Sequence, residues 1–517
     1  MNAESNAEES GVYAGLVARY ARQIAGQLGC WDRVVITGSL EEVSHPRALE
    51  RQLFAAGIRC FDLAQFAEPL REAVRAHVEG LAKAAGATVE YVRSRQVRKE
   101  DLVAAVLTRR GTAPGLVHVI SAMETCPAYR PWRDKGSGRT GVTLTHGQCL
   151  HYYLYFLHPR LGLCYLRVPT WLPFRLQFYF NGHNWLAGEL TRTGIAHRMR
   201  DNTFVEIADW PRAQQLADGF SITALQADLD ALARHCLPFL PRFPRGYHWS
   251  LRQVEYSWDL VWRRAEDLAP VYAELSRQAI LTVKAADIAR FLGKRLSAEA
   301  EASSDFATFH ECTRIKHRLG SVFLKLYDKH GLVLRLECTA NDVTFFHHFR
   351  KVVGRDGRAK YQNAALKKSI YSLGDLAELM RAATTRYLAY LSGLEDRAPG
   401  QVDLDRISRP VHDDHHRSYR GFNFFAAADL GVLLALVRGE YQISGLSNRW
   451  LRPVLPGLSG GQIGRILKRL RLHGLLKKVG CTYKYYLTRL GQKALLTALK
   501  LKEHLVVPTL AGLAPAK

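Results

Sequence analysis

Three consecutive runs between residues 146 and 190, HYYLYFLHP, LGLCYLRVPTW and FRLQFYFNGHNW, set aromatic side chains at alternate positions. Side chains alternate between two faces only in an extended chain, so the pattern predicts adjoining strands of an antiparallel sheet. Arg167 and Arg175 fall between the aromatics. One face of such a sheet can stack nucleic-acid bases, while an ordinary aromatic core accounts for the same residues. His146, His151, His158 and His183 cluster in sequence without metal-ligand spacing and are not read as a metal site.

Upstream, helical patterns alternate with VVITG at 34–38, IRCFDL at 58–63, TVEYV at 88–92 and LVHVIS at 116–121. That rhythm predicts an α/β domain over 11–140 with a largely parallel sheet. The turn Thr37-Gly38-Ser39 is able to hold a phosphate, and Arg93, Arg95, Arg98 and Lys99 form a candidate phosphate-contacting rim; a plain turn and a solvated face explain them equally. The remaining expected organisation is a disordered tail over 1–10, an aromatic sheet with helices over 141–245, an α+β candidate catalytic domain over 246–395, a linker over 396–419 and a helical DNA-binding domain over 420–517. The Pro-rich LPFLPRFPRGYH at 237–248 reads as the linker before the third domain. The fold class is therefore α/β multidomain, with a central antiparallel α+β region.

The densest chemistry lies in the 246–395 region. In LRQVEYSWDLVW, Val254, Tyr256, Trp258 and Leu260 alternate with Gln253, Glu255, Ser257 and Asp259, which puts both carboxylates on one face of a strand. Two carboxylates held together bind a hard divalent cation, Mg²⁺ or Mn²⁺, or share a proton. Farther on, VFLKLYDKHGLVLRLECT reads as a hairpin turning at Asp328-Lys329-His330-Gly331. Lys325, Tyr327 and Lys329 share one face of its first strand, and Arg335 and Glu337 one face of its second. A phenol between two ammonium groups is expected to ionise more easily, as a nucleophile requires. Arg314, Lys316, His317 and Arg318 precede the hairpin, and a further basic stretch from His347 to Lys368 follows it. The run YLYFLHPRLGLCYLRV at 153–168 looks like a diverged copy of the hairpin, sharing the G-L-x-x-L-R run with one inserted residue in the strand.

In three fragments, Gln253-Val254-Glu255 to Asp259, Leu326-Tyr327-Asp328-Lys329 and Arg335-Leu336-Glu337, the chain resembles rolling-circle replication initiators of the trans-acting plasmid Rep family and their relaxase relatives. Those proteins carry R-x-D-x-x-x-D, then a YDK-type hairpin, then R-x-E. The resemblance implies that Tyr327 is a nucleophile that becomes linked to DNA, assisted by Lys325 and Lys329, and that Glu255, Asp259 and Glu337 ligate a metal. The match departs from the pattern where Glu255 replaces the usual Asp and Arg252 stands one position out of register.

Near the C-terminus, Ile463, Ile466, Leu467, Leu470 and Leu472 form an apolar helical stripe, and Arg465, Lys468, Arg469 and Arg471 fill much of the remaining surface. Gly474 ends that helix, and Leu475–Val479 and Tyr483–Leu487 flank a turn. This order resembles MarR-like and ArsR-like winged helix-turn-helix regulators. The resemblance implies that Arg465, Lys468 and Arg469 face the major groove, with Lys477, Lys478, Lys484 and Arg489 on the backbone. Between Gly461 and His504 there are eleven Lys and Arg against the single acid Glu503, which localises part of the chain's +24 formal charge. Nine dispersed cysteines without a CxxC pair, and apolar runs too short to span a bilayer, suit a cytoplasmic protein. The expected partner is double-stranded DNA, with single-stranded DNA or RNA as alternatives. The expected role is a DNA-binding protein of a mobile or replicating element, against a non-enzymatic regulator or an RNA-binding protein.

Overall fold

The computed structural model describes residues 16–94, 96–111, 113–297, 301–309, 312–354, 357–393, 398–437, 445–480 and 482–512. Residues 1–10 and Arg95 thus lie outside the described residues. The chain divides into two compact units that meet at Ser392 and Gly393. Among the described residues no helix is long and apolar enough to cross a membrane.

The first unit is built on one sheet. Its strands are β1 (Ile24–Leu40), β2 (Val89–Tyr91), β3 (Gly115–Arg133), β4 (Thr140–His158), β5 (Gly162–Pro169), β6 (Leu176–Asn181), β9 (Tyr247–Trp262), β10 (Ala302–Phe309), β11 (Cys312–Leu319), β12 (Val322–Lys329) and β13 (Val333–Ala340). The spatial order is β10-β11-β12-β13-β9-β1-β6-β5-β4-β3-β2. A small separate hairpin, β7 (His197–Arg200) and β8 (Thr203–Ile207), follows the helix after β6.

The order contains a repeat. β1 lies beside β6, the last strand of its half, and β5, β4 and β3 follow outward; β9 lies beside β13 in the same way, and β12, β11 and β10 follow. Helices separate the first strand from the rest in both halves, and β1 and β9 pair antiparallel at the centre. The G-L-x-x-L-R similarity does not coincide with this repeat, because it aligns the β4–β5 hairpin with β12–β13, whereas strand order matches β5–β6 to β12–β13.

Several expectations change. The sheet is antiparallel throughout except where β2 meets β3, so the largely parallel α/β domain is not formed. VVITG belongs to a 17-residue strand whose neighbours are β6 and β9. IRCFDL is not a strand: its end enters helix α1 (Leu63–Ala84), where Phe66, Leu70, Val74 and Val78 recur at one-turn spacing and are buried. The boundaries placed near 140 and 245 fall within one sheet, and one apolar core runs across both of them. LPFLPRFPRGYH is core and not linker, with Leu237, Phe239, Leu240 and Phe243 buried. The supposed linker over 396–419 contains a helix, Ala398–Ser408, and a short strand pair.

Alternation along each strand sorts the two faces. Val254, Tyr256, Trp258 and Leu260 on β9, Leu324 and Leu326 on β12, and Leu334 and Leu336 on β13 point into the core. Helices α3 (Ala265–Thr282) and α4 (Leu373–Gly393) cover this side, with Tyr387 of α4 hydrogen-bonded to His317 on β11. The opposite face carries the polar alternates. On its far side, helix α2 (Lys99–Arg110) packs Val103 against Tyr153 and Tyr155, so most of the aromatic sheet is a core; Tyr165 and Tyr179 remain half-buried and stacked, centroids 5.1 Å apart.

Candidate active site on the polar face

Strand register assembles the site. Tyr327 pairs with Arg335 and Arg335 with Asp259, which makes one cross-strand row; Lys325, Glu337 and Ser257 make the next. Arg314 and Lys316 on β11 extend the same two rows outward, opposite Tyr327 and Lys325. The predicted alternation of the hairpin is therefore what the structure shows, with its reversal at His330 and Gly331, both at positive φ.

A residue absent from the sequence-based set completes the cluster. β1 pairs Trp31 with Tyr256 and Arg33 with Glu255, so Asp32 is the extra residue of a bulge. A bulge re-aims a side chain that regular alternation would send elsewhere. Asp32 is buried and accepts hydrogen bonds from Asn181 at 2.9 Å and Asn202 at 2.6 Å, with His183 Nδ1 at 3.4 Å. Asn181 also caps the helix that begins at Gly182 and carries His183. That helix approaches β1 closely: a Cβ on Gly182 would stand 2.2 Å from the Trp31 carbonyl oxygen.

Asp32, Glu255 and Glu337 form a carboxylate group, with one oxygen from each lying within 4.8 Å of the others. Asp259 does not belong to it. Four residues of strand separate it from Glu255 by about 13 Å, and both its oxygens accept from Arg335 at 2.7 Å in a buried fork. Arg335 also reaches Asp32 at 3.3 Å. The expected metal set of Glu255, Asp259 and Glu337 is thus corrected at Asp259, whose place Asp32 takes.

The electrostatics follow from burial and neighbours. Burial together with Glu337 pushes Glu255 up to about 7. Burial alone would raise Asp32 too, but Arg335 and His183 overcome it and hold Asp32 well below the usual carboxylate range. Lys325 spans the acids, donating to Glu337 and lying 3.5 Å from Glu255, so despite burial its ammonium is held above its usual range. Burial and Arg335 push Lys329 down to about 8, where it donates to Asn202.

Tyr327 is the second correction. Its hydroxyl donates to Glu337, and burial with that carboxylate raises its pKa well above the ordinary value. The flanking ammonium groups do not lower it, because Lys325 is spent on Glu337 and Glu255, and Lys329 on Asn202. The phenol is a neutral donor with a proton acceptor in contact.

The C-terminal unit holds the other predicted residues. Helix α5 (Gly460–Leu472) is capped by Ser459, reciprocated by Gln462, and buries Ile463, Leu467 and Leu470. Residues 476–478 pair with 485–487, Leu446 bridges to Tyr485, and a helix runs over Arg489–Leu501. Arg465, Arg471, Lys477, Lys478, Lys484 and Arg489 are exposed. Lys468 and Arg469 are committed internally: Lys468 donates to Asp413 at 2.6 Å, and Arg469 grips Asp429 at 2.9 and 3.1 Å with its guanidinium over Phe422. The reading of these two as base or phosphate contacts is corrected accordingly. In the first unit, Lys316 lies over Phe323 on the polar face, and Arg318 donates to the Gly320 carbonyl.

No family model matches the chain, and no curated protein or solved structure matches it.

Proposed function

We propose that this protein binds DNA and nicks and rejoins one strand through Tyr327, the role of a replication initiator, relaxase or transposase-like protein of a mobile element. The observation that carries the reading is the Tyr327 hydroxyl donating to buried Glu337 beside Glu255 and Asp32. Strongly perturbed acids and bases gather at functional sites, where the shifts serve the chemistry.

In the proposed step, the Tyr327 oxygen attacks phosphorus and passes its proton to Glu337 as the new P–O bond forms. The bond to the departing sugar oxygen breaks, and Lys329, protonated at neutral pH with a pKa of about 8, supplies the proton it needs. Arg314 and Lys316, opposite Tyr327 and Lys325, put positive charge beside the reacting phosphate. The donor set suits Mg²⁺ or Mn²⁺, because Asp32, Glu255 and Glu337 offer hard oxygens at close spacing and Lys325 marks where the cluster already holds positive charge. Such an ion would neutralise charge on phosphate oxygens.

We assign the C-terminal unit the address: a winged helix in which Arg465, Arg471, Lys477, Lys478, Lys484 and Arg489 meet the duplex. The first unit supplies a further basic element, the hairpin of β14 (His347–Val353) and β15 (Ala359–Ala365), with exposed Lys351, Lys360 and a stacked Phe349–Tyr361 pair. A two-stranded ribbon of this kind fits a major groove.

One observation favours a rival. Asp32, Glu255, Asp259 and Glu337 are matched by Arg33, Lys325, Lys329 and Arg335, so the cluster balances its charge without a metal. In that case the protein is a DNA-binding regulator whose ion pairs only join the halves of the sheet. Incubation with supercoiled and single-stranded DNA and Mn²⁺, followed by denaturing electrophoresis, separates the two. A protein–DNA adduct that disappears in Tyr327→Phe supports catalysis; equal nicking by wild type and Tyr327→Phe removes Tyr327 as the nucleophile, and no nicking and no adduct on any substrate leaves the regulator.

A further inference from the structure

A second constellation lies on the same face of the sheet, in a cavity of about 570 Å³. Four adjacent strands build its floor in one row: Arg167 on β5 pairs with Gln177 on β6, Gln177 with Thr37 on β1, and Thr37 with Ser250 on β9. Around that row stand Arg175, Arg252, Lys368 and Ser39, and among the described residues the lining contains no carboxylate. Thr37-Gly38-Ser39, expected as a turn, is instead extended within β1, and its Thr37 and Ser39 line this cavity.

The cations divide by commitment. Arg167 donates to Glu124 at 2.7 Å, and Lys368 lies 3.4 Å from Asp342. Arg252 is exposed and, among the described residues, donates to the neutral Gln177 amide oxygen at 2.9 Å. The Arg175 Nε is buried with no hydrogen-bond partner among the described residues. A buried donor left without a partner is unfavourable, and a guanidinium offers a planar fork whose geometry matches an oxyanion. The backbone just before it is strained, since Phe174 has φ 54° with its ring fully buried. Trp171, Pro169 and Pro173 supply an apolar wall, and the volume lies within the usual range for small-ligand pockets, about 300–1,000 Å³.

We infer that this cavity is a nucleotide-binding site in which Arg175 and Arg252 take a phosphate, Thr37 and Ser39 add hydroxyl donors, and the Trp171 wall faces the base or sugar. The same chemistry is offered by a free nucleotide and by one unit of a single strand. Arg252 stands three residues from Glu255 on β9, about 10 Å along the strand, so a strand lying on the carboxylate cluster would reach the cavity. The assignment itself does not depend on catalysis by Tyr327.

The test is isothermal titration of the full-length protein with a 5′-mononucleotide, its nucleoside, inorganic pyrophosphate and a six-nucleotide single strand. The mononucleotide or the six-mer is expected to bind at least about tenfold more tightly than the nucleoside. Arg252→Ala, which removes an exposed side chain and spares the core, and Arg175→Lys, which keeps charge but loses the fork, are each expected to weaken that binding about tenfold. Binding of the mononucleotide identifies a free nucleotide as a sufficient ligand; binding confined to the six-mer and lost in Arg252→Ala identifies a strand. Tyr327→Phe is expected to bind as wild type, so loss of the catalytic reading leaves this result intact. Equal affinity for nucleoside and mononucleotide with no Arg252-dependent binding of the six-mer, or unchanged affinities in both arginine variants, overturns the assignment.

Discussion

Glu255→Gln tests the electrostatic account of the cluster. Glu255 rises from the usual 4.5 to about 7 through burial and the Glu337 carboxylate, and its side chain is only 14% exposed. Each pH unit of difference between folded and unfolded states is worth about 1.36 kcal/mol, so ionising Glu255 costs the folded state about 3 kcal/mol. The folded form binds this proton more tightly than the unfolded chain. Its stabilising contribution is therefore complete below about pH 4.5 and is lost as pH rises through about 7. Glutamine has no such proton, while Lys325 keeps Glu337 as its partner. Relative to wild type, Glu255→Gln is expected to gain nothing from this source at pH 4, to gain steadily between pH 5 and 7, and to be about 3 kcal/mol more stable at pH 8.5. Urea unfolding followed by tryptophan emission measures this in the correct unit, because eight of the nine tryptophans precede Ser392 and only Trp450 follows it. A stability difference that does not change with pH, or a variant weaker than wild type at pH 8.5, refutes the reasoning.

Arg335→Met strands Asp259 and Asp32 as buried charges and is expected to cost the sheet unit about 3–5 kcal/mol; a loss below about 1 kcal/mol in urea titration contradicts the pairing. Gly182→Ala forces a methyl onto the Trp31 carbonyl and is expected to cost about 1–3 kcal/mol, read as a lower Tm. In the C-terminal unit, Lys477→Ala with Lys478→Ala is expected to leave melting unchanged and to reduce the slope of log affinity for DNA against log salt by about 2. Arg469→Met is expected to lower the melting temperature of that unit through loss of the Asp429 fork, and a purely DNA-binding defect would show that the fork is dispensable.

Strand periodicity alone determined which residues of the hairpin share a face. Leu324, Leu326, Leu334 and Leu336 had to be buried together, and so Lys325, Tyr327, Arg335 and Glu337 had to meet on the other side. The same logic placed Glu255 and Asp259 on one face, and the apolar stripe of the 460–472 helix was legible, whereas its Ser459 cap came from the structure. Periodicity says which face of a strand is buried but not which strand lies next to it. The β1–β6 and β3–β4 pairings join the first two expected domains, and the pairing of β1 with β9, between residues more than 200 positions apart, brings the third into the same sheet. It also decided the site. Asp32 reaches Glu255 because a bulge breaks the alternation from which a sequence is read, and Asp259 is excluded because Arg335 arrives opposite it in register. Tyr327 was identified by its neighbours along the chain, whereas its protonation was set by Glu337 across the hairpin and by burial. Chemistry carried by alternation within one strand was readable from the sequence; chemistry set by a neighbour across the sheet required the fold.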